Sequence, residues 1–508
     1  MTLFAAVVVA AGFWLRRDSV RAVEPVAFAP VFVEQFSAGG TLSDAWADFD
    51  GDGDPDRFVG FNGEASRLYR NDGTGGFTDV AGDLGLVVTR PVRTSAWGDF
   101  DADGDADLFL GYAGEGTVTA LWRNDAGRSF TEVSMEAGLD LPAGVTRQAS
   151  WVDYDGDGDL DLYLAMRDGP NRLFRNTGGQ GTAEDAVPIF EDVTQASGIG
   201  DPRRSVGAVW FDAEQDGDLD VLVANMNGDA NGLWLNDDGS FTDAAPGTDI
   251  AGGGRGVGDE ATGTVRPCVV DVDGDGWLDL HFANYGPNEV LLGGQNREWP
   301  SRGSDMGLDQ DTMDDTCVWG DFDHDGTLDV FVNGTITGGV QYRDHLMRRE
   351  QGSTFVDATP AEWATVNADH GATWVDYDQD GDLDLALTGA PEDGQHLLMQ
   401  NLLRPEFARH SLSIRVLDSE GRSLRAGAEV RLYVAGTDRL IGTRHVDSGS
   451  GYDSQSDLPV HFGLPGAQPV DVEVIVPAGG LRHVTRLESV DPAAHRGRSL
   501  NVRTVIDG

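Results

Sequence analysis

The sequence predicts an all-β protein made of repeated small sheets, and three observations support that prediction. An acidic loop of constant pattern recurs about every 50 to 60 residues, a unit with room for four short strands. Each loop is followed by a segment with the alternation of a buried strand. A tryptophan stands two residues before most of these loops, and a large aromatic at a fixed place in a repeat indicates packing between neighbouring sheets. The tryptophans are Trp46, Trp97, Trp151, Trp210, Trp319 and Trp374, and Val269 takes that place in the fifth repeat.

The acidic loop is clearest in the third repeat. Its carboxylates occupy loop positions 1, 3, 5 and 9, and Gly158 at position 6 permits a sharp turn. Carboxylate oxygens in this arrangement suit Ca²⁺. An EF-hand would have a bidentate glutamate at position 12 and then a helix, whereas here Leu164 stands in an alternating apolar segment. The sequence therefore predicts a calcium loop that leads into a strand.

The same loop occurs seven times, which predicts about seven bound calcium ions. The fourth copy has a glutamate at position 3, and its longer side chain predicts the weakest site. The predicted ligands are Asp48, Asp50, Asp52 and Asp56; Asp99, Asp101, Asp103 and Asp107; Asp153, Asp155, Asp157 and Asp161; Asp212, Glu214, Asp216 and Asp220; Asp271, Asp273, Asp275 and Asp279; Asp321, Asp323, Asp325 and Asp329; and Asp376, Asp378, Asp380 and Asp384.

Repeats of this length predict a seven-bladed β-propeller over residues 30–404. Most repeats end in a phenylalanine followed two residues later by an acid, but the seventh has no such end after Asn401. The same pattern stands alone as Phe32-Val33-Glu34 before the first repeat. A strand from Val31 to Gln35 is therefore predicted to complete the seventh blade and to close the ring.

The tail, residues 406–508, lacks the acidic loop and contains several apolar or alternating segments separated by glycine-rich turns. This pattern predicts a small β-sandwich domain that follows the propeller.

The repeats resemble the FG-GAP/VCBS repeats of integrin α-subunit propellers, whose calcium loops join the first and second strands of a blade. In the tail, Gly449-Ser450-Gly451-Tyr452-Asp453-Ser454-Gln455 and then His461-Phe462-Gly463-Leu464 are similar to the ASPIC/UnbV domain found in cartilage acidic protein and its bacterial relatives. The Trp-Pro-Ser-Gly element of that domain is degraded here to Val476-Pro477-Ala478-Gly479. The resemblance implies a calcium-binding propeller with an ASPIC/UnbV tail.

The chain is strongly acidic, with 86 acidic residues against 36 basic residues and a formal net charge of −50. All the basic residues other than histidine are arginines. With no basic stripe to offset this charge, a nucleic-acid partner or an anionic membrane surface is not expected. An extracellular protein or a glycan remains the expected class of partner.

The N-terminal residues 1–22 contain an apolar run over residues 3–15 that is short for a transmembrane helix. Such a run predicts a signal peptide, with an uncleaved N-terminal anchor as the alternative. Both alternatives place the rest of the chain outside the cytoplasm, as a secreted, periplasmic or cell-surface protein. The two cysteines, Cys268 and Cys317, are predicted to be buried free thiols, because their distances from the following acidic loop put their side chains on opposite faces of their strands.

Five basic residues precede the tryptophan-containing strands or their equivalents, where a propeller presents the mouth of its channel. They are Arg93, Arg147, Arg204, Arg266 and His370. Two interpretations remain open from the sequence. The arginines could pair with acids of the chain, or they could form a cationic funnel for an anionic group such as a carboxylated or sulfated glycan.

The leading functional prediction is an extracytoplasmic calcium-binding recognition or adhesion protein that uses the propeller as a ligand-binding platform. The competing prediction is a secreted hydrolase or lyase that acts on polysaccharide in the central channel. No nucleophile elbow, zinc-type histidine spacing or recognisable Ser/His/Asp set occurs, so no catalytic residue is assigned.

Overall fold

The computed structural model of the chain describes residues 27–506, except for positions 75, 114–118, 140, 142–144, 179–186, 254–255, 296–297, 338–339, 351, 362, 364–365, 367, 369, 392–393, 424 and 450. The predicted signal peptide or anchor over residues 1–22 lies outside the described residues. No helix among the described residues is long and apolar enough to cross a membrane.

The chain begins with a short strand and then forms four antiparallel sheets whose strands follow one another in chain order. The strands are β1 (Phe28–Val31); β2 (Thr41–Ala47), β3 (Asp56–Phe61), β4 (Arg67–Asn71) and β5 (Phe77–Asp79); β6 (Val92–Gly98), β7 (Asp107–Tyr112), β8 (Thr119–Asn124) and β9 (Phe130–Glu132); β10 (Thr146–Val152), β11 (Asp161–Met166), β12 (Arg172–Asn176) and β13 (Phe190–Asp192); and β14 (Ser205–Phe211), β15 (Asp220–Asn225), β16 (Gly232–Asp237) and β17 (Ser240–Asp243). A one-turn helix α1 (Thr194–Ser197) separates the third and fourth sheets.

Each sheet is buried on both faces, because it lies between two other sheets. On β11, Leu162 and Leu164 pack with residues of the second sheet such as Phe109. The alternate residue Tyr163 packs with Trp210 of the fourth sheet. Successive side chains of a strand point to opposite faces, so one strand contributes to two separate hydrophobic cores. This arrangement explains why these strands are apolar at nearly every position.

The fifth and sixth sheets are joined and less regular. Their strands are β18 (Gly263–Val270), β19 (Asp279–Pro287) and β20 (Glu289–Leu291), then β21 (Asp311–Gly320), β22 (Asp329–Gly334), the hairpin β23 (Ile336–Thr337) and β24 (Val340–Gln341), β25 (His345–Arg349) and β26 (Phe355–Asp357), with helix α2 (Gly303–Met306) between the two groups. The end of β19 pairs with the start of β21, with Tyr285 opposite Met313. A 3-10 turn at Asp249–Ala251 precedes this region.

The last sheet of the repeats is completed by the N-terminal strand. Its strands are β27 (Gly371–Val375), β28 (Asp384–Thr388) and β29 (Leu397–Asn401). β1 pairs antiparallel with β29, and Phe28 lies opposite Asn401. The pairing strand therefore begins and ends earlier than the predicted Val31 to Gln35. The predicted strand cannot continue through Phe32, because this residue has a φ of 52° and begins a turn.

The first strands of the sheets contact one another in chain order, from β2 through β6, β10, β14, β18 and β21 to β27, and β27 contacts β2. The sheets therefore form a closed propeller, and the first strands surround its central channel. The fold is nearly all β, as the sequence predicts.

The prediction of two free thiols was wrong, because Cys268 and Cys317 form a disulfide with their Cα atoms 6.5 Å apart. The two cysteines lie on β18 and β21, which are first strands of neighbouring sheets. Their side chains do leave equivalent strands from opposite faces, as their spacing indicates. Neighbouring sheets of a propeller pack face to face. One face of a strand therefore meets the opposite face of the equivalent strand in the next sheet, and the two cysteines come into contact.

The tail consists of two packed sheets over a core that includes Ile414, Val430 and Val474. After helix α3 (Pro405–Ala408), its strands are β30 (Ser411–Leu417), β31 (Glu429–Val434), β32 (Leu440–His445), β33 (Ser454–Gln455), β34 (Val460–Gly463), β35 (Val470–Ala478), β36 (Leu481–Val490) and β37 (Leu500–Arg503), with a 3-10 turn at Pro492–His495. One sheet has the order β34-β30-β37 and the other β32-β31-β35-β36. The short strand β33 instead pairs in parallel with β6 of the propeller.

Candidate calcium loops and the occupied channel

The acidic loops bring carboxylates from different loop positions together. Three side-chain oxygens lie within 4.8 Å of one another in several loops, and each set could hold a metal ion. Sets of this kind are Asp48, Asp50 and Asp56; Asp99, Asp101 and Asp107; Asp153, Asp155 and Asp161; Asp271, Asp273 and Asp279; and Asp321, Asp323 and Asp325. Clustered carboxylate oxygens are the donor set that Ca²⁺ prefers, so the residues present fit the predicted ion.

The aspartate at loop position 9 is held rigidly at the start of the second strand. In the first loop, Asp56 accepts hydrogen bonds from the backbone N–H of Phe49 at 3.1 Å and of Asn71 at 2.8 Å. Asp107 accepts the equivalent bonds from Phe100 and Asn124. These bonds fix the position of the carboxylate without any ion, so a metal ion would meet a predicted ligand that is already in place.

Burial raises the pKa of these carboxyl groups in the metal-free protein. The pKa of Asp56 is raised to about 9, and that of Asp220 to about 8, in both cases mainly because burial penalises the charged form. The charges of the neighbouring loop aspartates add to the effect on both groups. A divalent cation beside these groups would reverse it, because the cation favours the ionised carboxylate.

A repeated asparagine that the sequence reasoning missed links the loops of neighbouring repeats at five places. The side-chain amide of Asn124 donates to the carbonyl oxygen of Phe49 in the preceding loop at 2.7 Å. The same contact is made by Asn71, Asn176, Asn236 and Asn401 to Tyr377, Phe100, Tyr154 and Phe322. In the sixth sheet Arg349 takes this place and donates to the carbonyl oxygen of Val272 at 2.7 Å. The signal was available in the sequence, since an asparagine ends the third strand of four repeats and is the second-last residue of that strand in a fifth.

The tail domain lies on the face of the propeller that carries the acidic loops. Nη1 of Arg425 lies 3.3 Å from Oδ2 of Asp153, and Nε of Arg482 lies 3.2 Å from Oδ2 of Asp212. His461 forms a hydrogen bond of 2.9 Å with the carbonyl oxygen of Gly381, next to the seventh loop. Two arginines of the tail are therefore paired with the first aspartate of the third and fourth loops.

Residues 447–457 of the tail, with position 450 not described, enter the central channel from that face, and we call them the channel loop. The loop contacts the tryptophan backbones of several first strands. Gln455 forms hydrogen bonds with both the N–H and the carbonyl of Trp151, and Ser448 accepts a bond of 2.8 Å from the N–H of Trp210. The backbone N–H of Asp457 donates to the carbonyl oxygen of Trp46 at 2.8 Å. The inner edges of the first strands have backbone groups without sheet partners, and the channel loop supplies partners for them.

The predicted cationic residues meet carboxylates of the chain itself. Arg93 and Arg147 lie 2.9 and 3.9 Å from Asp453 of the channel loop, and the hydroxyl of Tyr452 accepts hydrogen bonds from both. Arg266 pairs with Asp447 at 3.1 Å. These three arginines do surround the channel, but the channel loop provides their anion.

The remaining two predicted residues are also paired. His370 lies 3.2 Å from Asp315 of the sixth sheet, and Arg204 lies 2.9 Å from Asp229. Of the two interpretations of Arg93, Arg147, Arg204, Arg266 and His370, these contacts support pairing with acids of the chain over a funnel open to an external ligand. The neighbouring acids of the propeller and the tail already pair with the four arginines, and Asp315 contacts His370.

Burial shapes the ionisation of the channel centre. The pKa of Asp453 is raised to about 6, because burial opposes its charge more strongly than Arg147 and Arg93 favour it. The pKa of His370 is lowered to about 4, mainly by burial. At neutral pH the channel centre therefore contains an ionised Asp453 between two arginines and a neutral histidine.

Models of known protein families match both the repeats and the tail of the chain. A model described as an FG-GAP-like repeat matches residues 48–110, 99–164, 153–223 and 271–332. A model described as ASPIC and UnbV matches residues 420–493.

Two curated relatives match along much of the chain. Cartilage acidic protein 1 of Homo sapiens is 26% identical over 418 residues, which cover 75% of this chain and 59% of that protein. Cartilage acidic protein 1 of Xenopus tropicalis is 26% identical over 471 residues, which cover 86% of this chain and 70% of that protein. The chain thus spans less than two thirds of the human relative.

Among solved structures, the chain is similar to one described as the structural basis of specific recognition of non-reducing terminal N-acetylglucosamine by a lectin of Agrocybe aegerita. The TM-score is 0.39 at 17% sequence identity, and the match covers 72% of this chain and 91% of that chain.

Proposed function

We propose that this chain, which combines FG-GAP-like repeats with an ASPIC and UnbV domain, is an extracytoplasmic calcium-binding recognition protein on a seven-bladed propeller. The proposal rests above all on the geometry of the acidic loops. Carboxylates from loop positions 1, 3 and 9 converge in the first, second, third and fifth loops, and those from positions 1, 3 and 5 converge in the sixth. The position 9 aspartate is fixed by backbone hydrogen bonds in advance.

Calcium in these loops would stabilise the platform. In the apo form each loop holds several carboxylates at short range, whose mutual repulsion opposes folding. An ion that binds only the folded state adds about 2.7 kcal/mol per site when it is present at about one hundred times its dissociation constant. Several such sites would make the fold depend on calcium, as suits a protein in a calcium-rich extracellular fluid.

The proposed location has support from the disulfide between Cys268 and Cys317, because disulfides persist in oxidising compartments. The proposed partner is an anionic glycan or an extracellular protein. A hydrolase or lyase with its site in the central channel has less support. The channel loop contacts the first strands of the first four sheets there, so it takes up space that a substrate would need.

Calcium binding is tested on purified protein by elemental analysis after dialysis and by calorimetric titration of the chelated protein. We expect about seven ions per chain. Fewer than four ions would contradict the seven-site proposal, and a protein that retains no calcium in elemental analysis and also gives no heat of binding would contradict calcium binding altogether.

A further inference from the structure

The seventh acidic loop contains a fifth aspartate that the sequence reasoning did not assign. Asp382 stands at loop position 7, between the predicted ligands Asp380 and Asp384. Only 1% of its surface is exposed, and neither of its carboxylate oxygens has a hydrogen-bond partner among the residues that the structure describes. Burying a carboxylate without a donor or a cation beside it is costly, because the group loses its hydration without compensation.

The carboxyl group of Asp382 faces the interior of its own loop. It lies within hydrogen-bonding distance of the carboxyl group of Asp380. It also interacts electrostatically with Asp376 and Asp378, and it is the charged group that acts most strongly on Asp384. Five carboxyl groups therefore lie close together in this loop. At such short range they repel one another unless a cation or a shared proton lies between them.

The aspartates at loop position 7 of other repeats differ from Asp382 in both burial and bonding. Four of them are half-buried and keep contact with solvent, namely Asp54, Asp105, Asp159 and Asp218. Asp54 accepts a hydrogen bond of 2.8 Å from the side-chain amide of Gln379. Asp218 accepts one of 2.8 Å from the backbone N–H of Gly480. The loop position alone therefore does not call for an ion, and burial without a donor distinguishes the seventh loop.

The tail lies directly against this part of the seventh loop. A Cβ atom on Gly381 would come within 2.7 Å of the carbonyl oxygen of Ala408 and of the hydroxyl oxygen of Ser411. The carbonyl oxygen of Gly381 also forms a hydrogen bond of 2.9 Å with His461. A cation at the neighbouring Asp382 would therefore lie where the tail joins the last sheet of the propeller.

We propose that Asp382 is a fifth carboxylate ligand of the calcium ion in the seventh loop and makes this loop the tightest calcium site of the chain. Calcium takes about six to eight oxygen ligands, and the number of charged ligands tunes its affinity. The inference rests on the proposed function, because it assigns a residue to one of the ions that the acidic loops are proposed to bind. The last ion to leave the protein on chelation is then the one between the propeller and the tail.

The test compares Asp382→Asn with the wild type by calorimetric titration of the chelated protein and by elemental analysis at buffered free calcium. The substitution removes the charge and keeps the shape of the side chain. We expect the tightest binding step to weaken by about tenfold or more, because the ion loses a charged ligand. At saturating calcium the variant should retain as many ions as the wild type. At the free calcium concentration where the wild type retains a single ion, the variant should retain clearly less than one.

Asp105→Asn and Asp159→Asn are the matched controls, because they change the same loop position where the carboxylate is half-buried. Their tightest binding step should equal that of the wild type. An unchanged tightest step in Asp382→Asn would overturn the proposal, and so would an equal weakening of this step in both controls.

Stability measurements distinguish a ligand from a residue that only supports the fold. Without calcium, Asp382→Asn should be at least as stable as the wild type, because the substitution removes a buried acid that its neighbours repel. With calcium, the melting temperature of the variant should rise less than that of the wild type. A variant that is destabilised equally with and without calcium would show a purely structural role for Asp382 and would overturn the proposal.

The same samples separate this inference from the proposed function. If the wild type binds calcium and Asp382→Asn binds it equally tightly, the assignment of Asp382 is wrong while the proposed function stands. If the wild type binds no calcium, the proposed function fails and the assignment of Asp382 fails with it.

Discussion

Oδ2 of Asp453 lies 2.9 Å from Nε of Arg93, so a residue of the tail neutralises a residue of the second propeller sheet inside the central channel. Asp453 is fully buried, and Arg147 stands on its other side at 3.9 Å. The two residues are 360 positions apart in the chain. This pair makes the tail a structural part of the propeller.

The first prediction concerns this pair. Asp453→Asn leaves Arg93 and Arg147 as buried cations without a counter-ion, so we expect a loss of about 3 kcal/mol in the free energy of unfolding. The measurement is urea unfolding at pH 8, where wild-type Asp453 is ionised because its pKa is about 6. The control Asp438→Asn changes an exposed acid of the same tail and should leave stability unchanged. Equal stability of Asp453→Asn and the wild type would show that the tail does not support the propeller through this pair.

The second prediction concerns a single calcium loop. Asp161→Asn removes one charge from the position 9 ligand of the third loop but keeps its shape, so calcium should bind there much more weakly. Elemental analysis after dialysis should find about one ion fewer per chain than in the wild type. Asp168→Asn, an exposed acid beyond the same strand, is the matched control. An unchanged calcium content in Asp161→Asn would remove this residue from the ligand set.

The third prediction concerns calcium and thermal stability together. Chelation should lower the melting temperature by roughly 10 °C or more, because several binding free energies are lost at once. Differential scanning calorimetry with and without a chelator measures the shift, and magnesium in excess should not restore it. A chelated protein that melts at the same temperature would contradict a structural role for the ions.

The fourth prediction concerns the disulfide. It joins residues separated by 49 positions, and its loss should cost about 4 kcal/mol through the greater entropy of the unfolded chain. Reducing agent should therefore lower the melting temperature of the wild type and have no effect on the double variant Cys268→Ala and Cys317→Ala. Thiol titration of the unfolded, unreduced protein should find no free thiol. Two free thiols would show that the disulfide is absent and that both cysteines are free.

The fifth prediction concerns closure of the ring. Phe28 on β1 packs against Phe322, Trp363 and Trp374 in the core of the seventh sheet. Phe28→Ala should cost about 3 to 5 kcal/mol, as expected for a buried aromatic. Val33→Ala, at a side chain that is 46% exposed, should be nearly neutral. Deletion of residues 27–31 should expose the edge of β29 and promote aggregation, which light scattering detects. A deletion variant that melts normally as a monomer would show that β1 is dispensable.

The sequence by itself determined the repeat and the chemistry of its loops. Alternating aspartates around a glycine bring their oxygens close together in a tight loop, and the structure brings Asp153, Asp155 and Asp161 together. The unpaired Phe-x-acid pattern also revealed that an N-terminal strand completes the last sheet. The exact strand escaped prediction, because the turn at Phe32 depends on its packing against Phe77 and Tyr377.

Only the tertiary structure decided which distant residues meet. The sequence placed Arg93 and Arg147 at the channel, but their partner is an aspartate from a loop of another domain. It also placed Cys268 and Cys317 on opposite faces of their strands, and the face-to-face packing of neighbouring sheets then brought these faces into contact. Local sequence patterns indicate the direction and the chemistry of a side chain. The partner of that side chain depends on how the folded sheets and the tail pack against one another.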